Sequence, residues 1–270
     1  MVVLALVAYE FRLRRRSLLG WSILIILYLG LLTWAWRAGA RELGEVYEQI
    51  ISQYPEEFIK LFAKEVPRAF RAEAFYVIEY FVFAYVMALG AYVSYLGAGL
   101  IVDDVLERTG SLVLSMPISR RGLLASRFLS LLLLSTSISL ASLATTVAIY
   151  GALGAHEDFR YSNIALLHLN GVFYLATCAA LGVLVGAILP FHLAKPAVAG
   201  LALLCYVVDV MTAETSLEVI GYLAPSRYID VMSIAVEGSL SSTNLAVLAV
   251  LTALLLLASI PLYERKDLPV

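Results

Sequence analysis

Long uncharged stretches, broken by charged residues or proline, recur along the chain. A helix needs roughly 20 apolar residues to cross about 30 Å of hydrocarbon. Ser17 to Trp36 is such a stretch, bounded by Arg16 and Arg37, and it predicts a first span at 17–36. Further spans are predicted at 75–102, 128–153, 164–189, 196–213 and 244–263, with Pro190 closing the fourth and Pro196 opening the fifth. The predicted fold class is an all-α membrane protein with six transmembrane helices in one domain, 1–270.

The segments between spans carry their own pattern. Leu43, Val46, Tyr47, Ile50, Ile51 and Tyr54 recur at helical spacing until Pro55 breaks the run. Phe58, Ile59, Leu61, Phe62 and Val66 repeat it, so 38–74 is expected to hold two amphipathic helices on the outer membrane surface. Val2 to Arg16 reads as an apolar surface helix on the inside, ending in arginines that meet anionic headgroups.

Composition sharpens this. Hydrophobic residues make up 61% of the chain and charged residues 15%. A soluble domain runs nearer about 45–50% and about 25%, so the solvent here must be lipid. A net charge of −2 argues against nucleic acid as a partner. Cys178 and Cys205 both sit in apolar runs and offer neither a disulfide framework nor a metal spacing. The N-terminal arginines follow their apolar stretch instead of preceding it, unlike a cleavable signal peptide. With the N-terminus inside, eleven of the nineteen Lys and Arg residues fall on the inner side, four of them just before the first span. Both termini are therefore expected in the cytoplasm of a multi-pass plasma-membrane protein.

Several chemistries lack their residues. None of Lys60, Lys64, Lys195 or Lys266 follows a glycine, so there is no phosphate-binding loop, and ATP hydrolysis by that route is not expected. His156, His168 and His192 are far apart, match no zinc helix, and each reads as a loop or helix-end histidine. Asp103, Asp104 and Glu107 form an acidic cluster at the end of the second span. Carboxylates so spaced can hold Mg²⁺ and a diphosphate, as an intramembrane enzyme requires, but no second acidic cluster faces them. A solvated helix end or a docking surface is the competing reading, and no metal site is assigned. Glu79 and Asp209 are acids within spans, near the outer interface, and fit either a pathway or a structural role. Gly182-x-x-x-Gly186 permits close helix approach, inside the bundle or between copies.

The connection after the second span, DDVLERTGSLVLSMPISRRGLLASR, is too apolar for a solvated loop and too punctuated by Gly110 and Pro117 to cross the membrane. Read alone, it is either a docking helix for another protein or a surface helix on the inner leaflet. Glu107-Arg108-Thr109-Gly110-Ser111-Leu112, followed after Val113 and Leu114 by Ser115-Met116-Pro117-Ile118-Ser119-Arg120-Arg121, resembles the signature of type-2 ABC transporter permeases. Tyr54-Pro55-Glu56-Glu57, Pro225-Ser226-Arg227-Tyr228 and the ending Tyr263-Glu264-Arg265-Lys266-Asp267-Leu268 resemble further parts of that family. Met116 stands where the family more often has leucine.

The resemblance implies a surface helix before the first span and a coupling helix over Glu107 to Arg121 that seats in a separate ATPase subunit. It also implies a re-entrant element over Leu217 to Ser242 that includes Pro225 and Tyr228. It implies a permease subunit of an ATP-driven exporter, working as a homodimer or with a paralogue. No cofactor is then expected in this chain, with ATP and Mg²⁺ on the partner ATPase. A secondary transporter is a third reading, disfavoured by spans this apolar.

Overall fold

The computed structural model describes residues 2–40, 76–111, 115, 117–152, 160–213 and 215–267. The expected outer amphipathic helices between 38 and 74 fall almost wholly outside the described residues, as do Leu112, Leu114 and Met116. Helix α1, Val2–Leu13, precedes the first spanning helix α2, Arg15–Gly39. The other spanning helices are α3, Tyr76–Leu106, α4, Arg120–Ala152, α5, Tyr161–Ile188, and α6, Phe191–Thr212. A short α7, Glu218–Gly221, leads to a 3₁₀ turn at Pro225–Tyr228 and a wide turn at Ser233–Glu237, and the last span is α8, Ser242–Arg265. Among the described residues, six helices are thus long and apolar enough to cross a membrane, and there is no strand. Helix α1 and the end of α8 lie at one end of the bundle, here the terminal end, both against the start of α4. The turns between α6 and α8 lie at the other, the far end.

Lipid tails are as apolar as leucine, so helices associate in a bilayer through close fit and not through burial alone. That fit is tightest between α3 and α5. A Cβ on Gly182 would press against the Ala98 nitrogen at 2.8 Å and the Gly97 Cα at 2.9 Å, and one on Gly186 would sit 2.9 Å from the Ala98 carbonyl oxygen. The Gly182-x-x-x-Gly186 pair therefore serves contact within the bundle. Around this seam α5 also touches α4, α6 and α8, while α4 carries α1 and α2 on its other side. Outward faces such as Leu19, Ile23 and Leu27 on α2, and Leu204 and Met211 on α6, are exposed, as lipid contact demands.

The first half of α3, Tyr76–Leu89, is wound as a π-helix before Gly90–Leu106 continues as an α-helix. Its buried positions come as Tyr76 and Val77, Tyr80 and Phe81, Tyr85 and Val86, then Leu89 and Gly90. They recur every four to five residues, the spacing an i→i+5 winding places on one face.

Two boundaries differ from expectation. Helix α4 begins at Arg120 instead of near 128, because Ser119 caps it, its oxygen accepting the Gly122 N–H at 3.1 Å, and its arginines all find partners. Helix α6 begins at Phe191, with Pro190 as its N-cap and Pro196 inside it. A spanning helix tolerates such a proline when neighbouring helices support it. Replacing Gly182 with Ala should cost about 1–3 kcal/mol and lower the melting temperature of the detergent-purified protein. Gly20→Ala, where no atom lies within 4 Å of the added carbon, should leave it unchanged. Equal melting of the two variants would refute the seam.

Candidate functional site

At the terminal end, the segment resembling a coupling helix leaves α3 and returns into α4, and its two stems meet at one buried arginine. Arg127 on α4 binds both oxygens of Asp104 on α3, at 2.6 and 2.8 Å, and the Leu100 carbonyl at 3.0 Å. Its Nε donates to Glu10 on α1 at 3.0 Å, and Glu10 in turn accepts from Arg14 at 3.3 Å. Glu10, Asp104 and Arg127 are all buried, and the four side chains sum to zero formal charge. A lone ion in this position would cost several kcal/mol, and pairing removes that cost. One guanidinium thereby joins three helices.

The stems are finished differently. Helix α3 ends in a Schellman closure, with Thr109 N–H donating to the Asp104 carbonyl at 2.8 Å and Arg108 N–H to that of Val105 at 3.2 Å. Arg108 takes the left-handed conformation, φ 58°, where glycine is the usual residue. On the return stem Arg120 donates to the carbonyls of Tyr263, Glu264 and Lys266 at 3.1, 3.1 and 2.8 Å. Those carbonyls close the end of α8, where the helix's own amides run out and only Tyr263 also accepts a cap N–H, from Lys266 at 3.3 Å. Arg121 forms an exposed two-point pair with Glu264, at 2.5 and 2.8 Å. Lys266 caps α5, donating to the carbonyls of Gly186 and Leu189 at 2.7 and 2.6 Å, and its burial pushes the ammonium below lysine's ordinary pKa.

The residues singled out in sequence therefore divide. Thr109, Ser119 and Arg120 complete helix ends, Gly110 is buried, and Glu107, Pro117 and Arg121 stay exposed. The acidic cluster is split. Asp103 pairs with Lys195 of α6 at 2.8 Å, while Asp104 belongs to Arg127. Among the described residues, no three His, Cys, Asp or Glu side chains are gathered to hold a metal. The arrangement gives no support to Mg²⁺ chemistry on Asp103, Asp104 and Glu107.

At the far end, α3, α6 and the turns before α8 enclose an open cavity of about 770 Å³. Asp209 on α6 reaches it and pairs at 3.7 Å with Arg227 of the 3₁₀ turn, which also binds Glu218 and lies 5.4 Å over the Tyr222 ring. Pro225 is buried beneath, and the Tyr228 hydroxyl donates to the Tyr222 carbonyl at 2.9 Å. Glu79 lies elsewhere, half-buried on α3, where its backbone carbonyl accepts from Tyr28 at 3.2 Å.

Residues 4–268 match the family described as ABC-2 family transporter protein. The chain belongs to that family. No curated protein and no solved structure matches the chain. It is a membrane-spanning permease of an ABC transporter, a transport subunit, which the six apolar helices fit.

One polar feature of the permease escaped the sequence reading. Tyr80 on α3 lies 2.5 Å from Ser142 on α4, which lies 2.9 Å from Nε2 of His168 on α5. His168 Nδ1 faces the Ile164 carbonyl at 2.9 Å, so Nδ1 carries the proton, Nε2 accepts from Ser142, and Ser142 accepts from Tyr80. Tyr85 donates to Ser139 at 2.8 Å and Thr146 to Tyr76 at 3.3 Å alongside. His168 is thus a buried mid-helix residue, against the expectation of a helix-end one. Its signal was on the neighbouring helix: Ser135, Ser139, Ser142 and Thr146 fall on one helical face.

The Arg127 cluster predicts a non-additive stability pattern. Arg127→Leu, which orphans Asp104, should cost about 3–5 kcal/mol, and adding Asp104→Leu should return most of it. Denaturant titration in detergent checks this, and additive losses would contradict it.

Proposed function

We propose that the permease lines the pathway of an ATP-driven exporter, as a homodimer or paired with a paralogue, and is driven by a separate ATPase subunit that binds ATP and Mg²⁺. Both termini are cytoplasmic in the plasma membrane on this reading. The segment from Glu107 to Arg121 is the coupling helix, and Leu217 to Ser242, with Pro225 and Tyr228, is a re-entrant element. The observation that carries the reading is the closure of both stems of that segment on one buried guanidinium.

A segment so rooted acts as a handle. When the ATPase subunits close, a pull on it reaches α3 through Asp104, α4 through Arg127, α1 through Glu10 and the end of α8 through Arg120. The helices then move together between two discrete arrangements, as a densely filled interface permits. Leu112, Leu114 and Met116 supply the apolar centre that fills the partner's groove, and Glu107 and Arg121 lie at its rim. Apolar anchors carry most interface affinity, while rim charges tune orientation and on-rate.

Replacing Leu114 and Met116 together with Asp should release the ATPase in a nanodisc pull-down. Wild-type retention would end the docking assignment. The isolated permease should turn over no ATP, and activity should appear with its partner. Topology is checked separately in a Cys178→Ala/Cys205→Ala background. An impermeant thiol reagent applied to intact cells should modify Gln49→Cys and spare Ser115→Cys, and the reverse result inverts the orientation.

A further inference from the structure

The far-end cavity has the size of a small-molecule site, about 300–1,000 Å³, and its walls are of two kinds. Val82 and Val86 on α3, with Val210, Ile229 and Met232, make an apolar side. The described lining residues also include three carboxylates, Asp209, Glu218 and Asp230, and one cation, Arg227. Arg227 is already engaged by Asp209, by Glu218 and by the face of Tyr222, so an anionic ligand would find no free positive partner among the described lining residues. Asp230 is exposed, and one of its oxygens accepts the Ser233 N–H at 3.2 Å while its other lone pairs remain. Tyr206 and Tyr228 add aromatic faces, which attract cations. Ser226, 6% exposed, lines the same wall with its hydroxyl beside the Asp209 carboxylate.

We infer that this cavity binds an amphipathic organic cation, with its charge against Asp230 and the tyrosine faces and its apolar body against Val86, Ile229 and Met232. The inference rests on the transport reading and names the substrate class that pathway accepts. An inorganic cation fits poorly, because the cavity is far larger than such an ion and half its wall is aliphatic. A neutral apolar ligand would leave the remaining lone pairs of Asp230 unused.

Two probes of nearly equal shape and opposite charge separate the possibilities: tetraphenylphosphonium and tetraphenylborate. Binding to the full chain in phosphatidylcholine nanodiscs is measured against empty nanodiscs. One saturable site per chain is expected for the phosphonium and none for the borate. Asp230→Asn keeps an oxygen for the Ser233 N–H and should fold normally, yet weaken the phosphonium about tenfold. Val210→Trp, placed on the apolar wall, should block it. Equal binding of the borate, no saturable signal above empty nanodiscs, or unchanged affinity in both variants each overturns the inference. The assay contains no ATPase. Phosphonium binding with a failed pull-down therefore rejects the coupling reading alone, and the converse rejects this site alone.

Discussion

Everything in this bundle hangs on how closely α3 and α5 approach. In hydrocarbon, two helices gain nothing from hiding leucines that lipid would cover equally well, so their attraction depends on atoms in contact. Glycine at 97, 182 and 186 removes the side chains that would hold the backbones apart. With α3 pressed to α5, its π-wound half turns Tyr76, Tyr80 and Tyr85 toward the hydroxyl face of α4. The aromatic rings fill volume while their hydroxyls find hydrogen-bond partners, so a polar strip lies inside an apolar bundle without orphaned groups along the Tyr80–Ser142–His168 chain.

The charges obey a different economy. Water cannot reach Arg127 well, and its ion pairs with Asp104 and Glu10 offset a desolvation cost of similar size. Such clusters add little net stability compared with apolar filling, but they make misplacement expensive. A helix shifted by one turn would leave an ion alone. The cluster thus fixes the relative register of α1, α3 and α4 at the very place where the connecting segment leaves the bundle.

The spans were legible because about twenty uncharged residues in a row have few other homes. The starts of α4 and α6 were not, since a reader of hydropathy stops at Arg120, Arg121 and Arg127 and at Pro196. Those arginines stay helical because Asp104, Glu10, Glu264 and the carbonyls of α8 receive them, and these partners are more than twenty residues away. Separation along the chain also hid the pairing of Asp209 with Arg227 and the burial of His168. The π-winding of Tyr76–Leu89 was written in the doublet spacing of its buried residues, but an α-period reading passes over it. Kinship with ABC permeases came from a different source, the Thr109-Gly110 and Pro117-to-Arg121 signature, and the family match over 4–268 agrees with it.

The last few residues of α8 carry a consequence for anyone handling the protein. Arg120 holds the carbonyls of Tyr263, Glu264 and Lys266, and the Lys266 ammonium closes the final turn of α5. Residues 263–266 are a fastener between helices. An affinity tag placed beyond it calls for a spacer after the fastener, and trimming the chain to Arg265 would unbutton two helices at once.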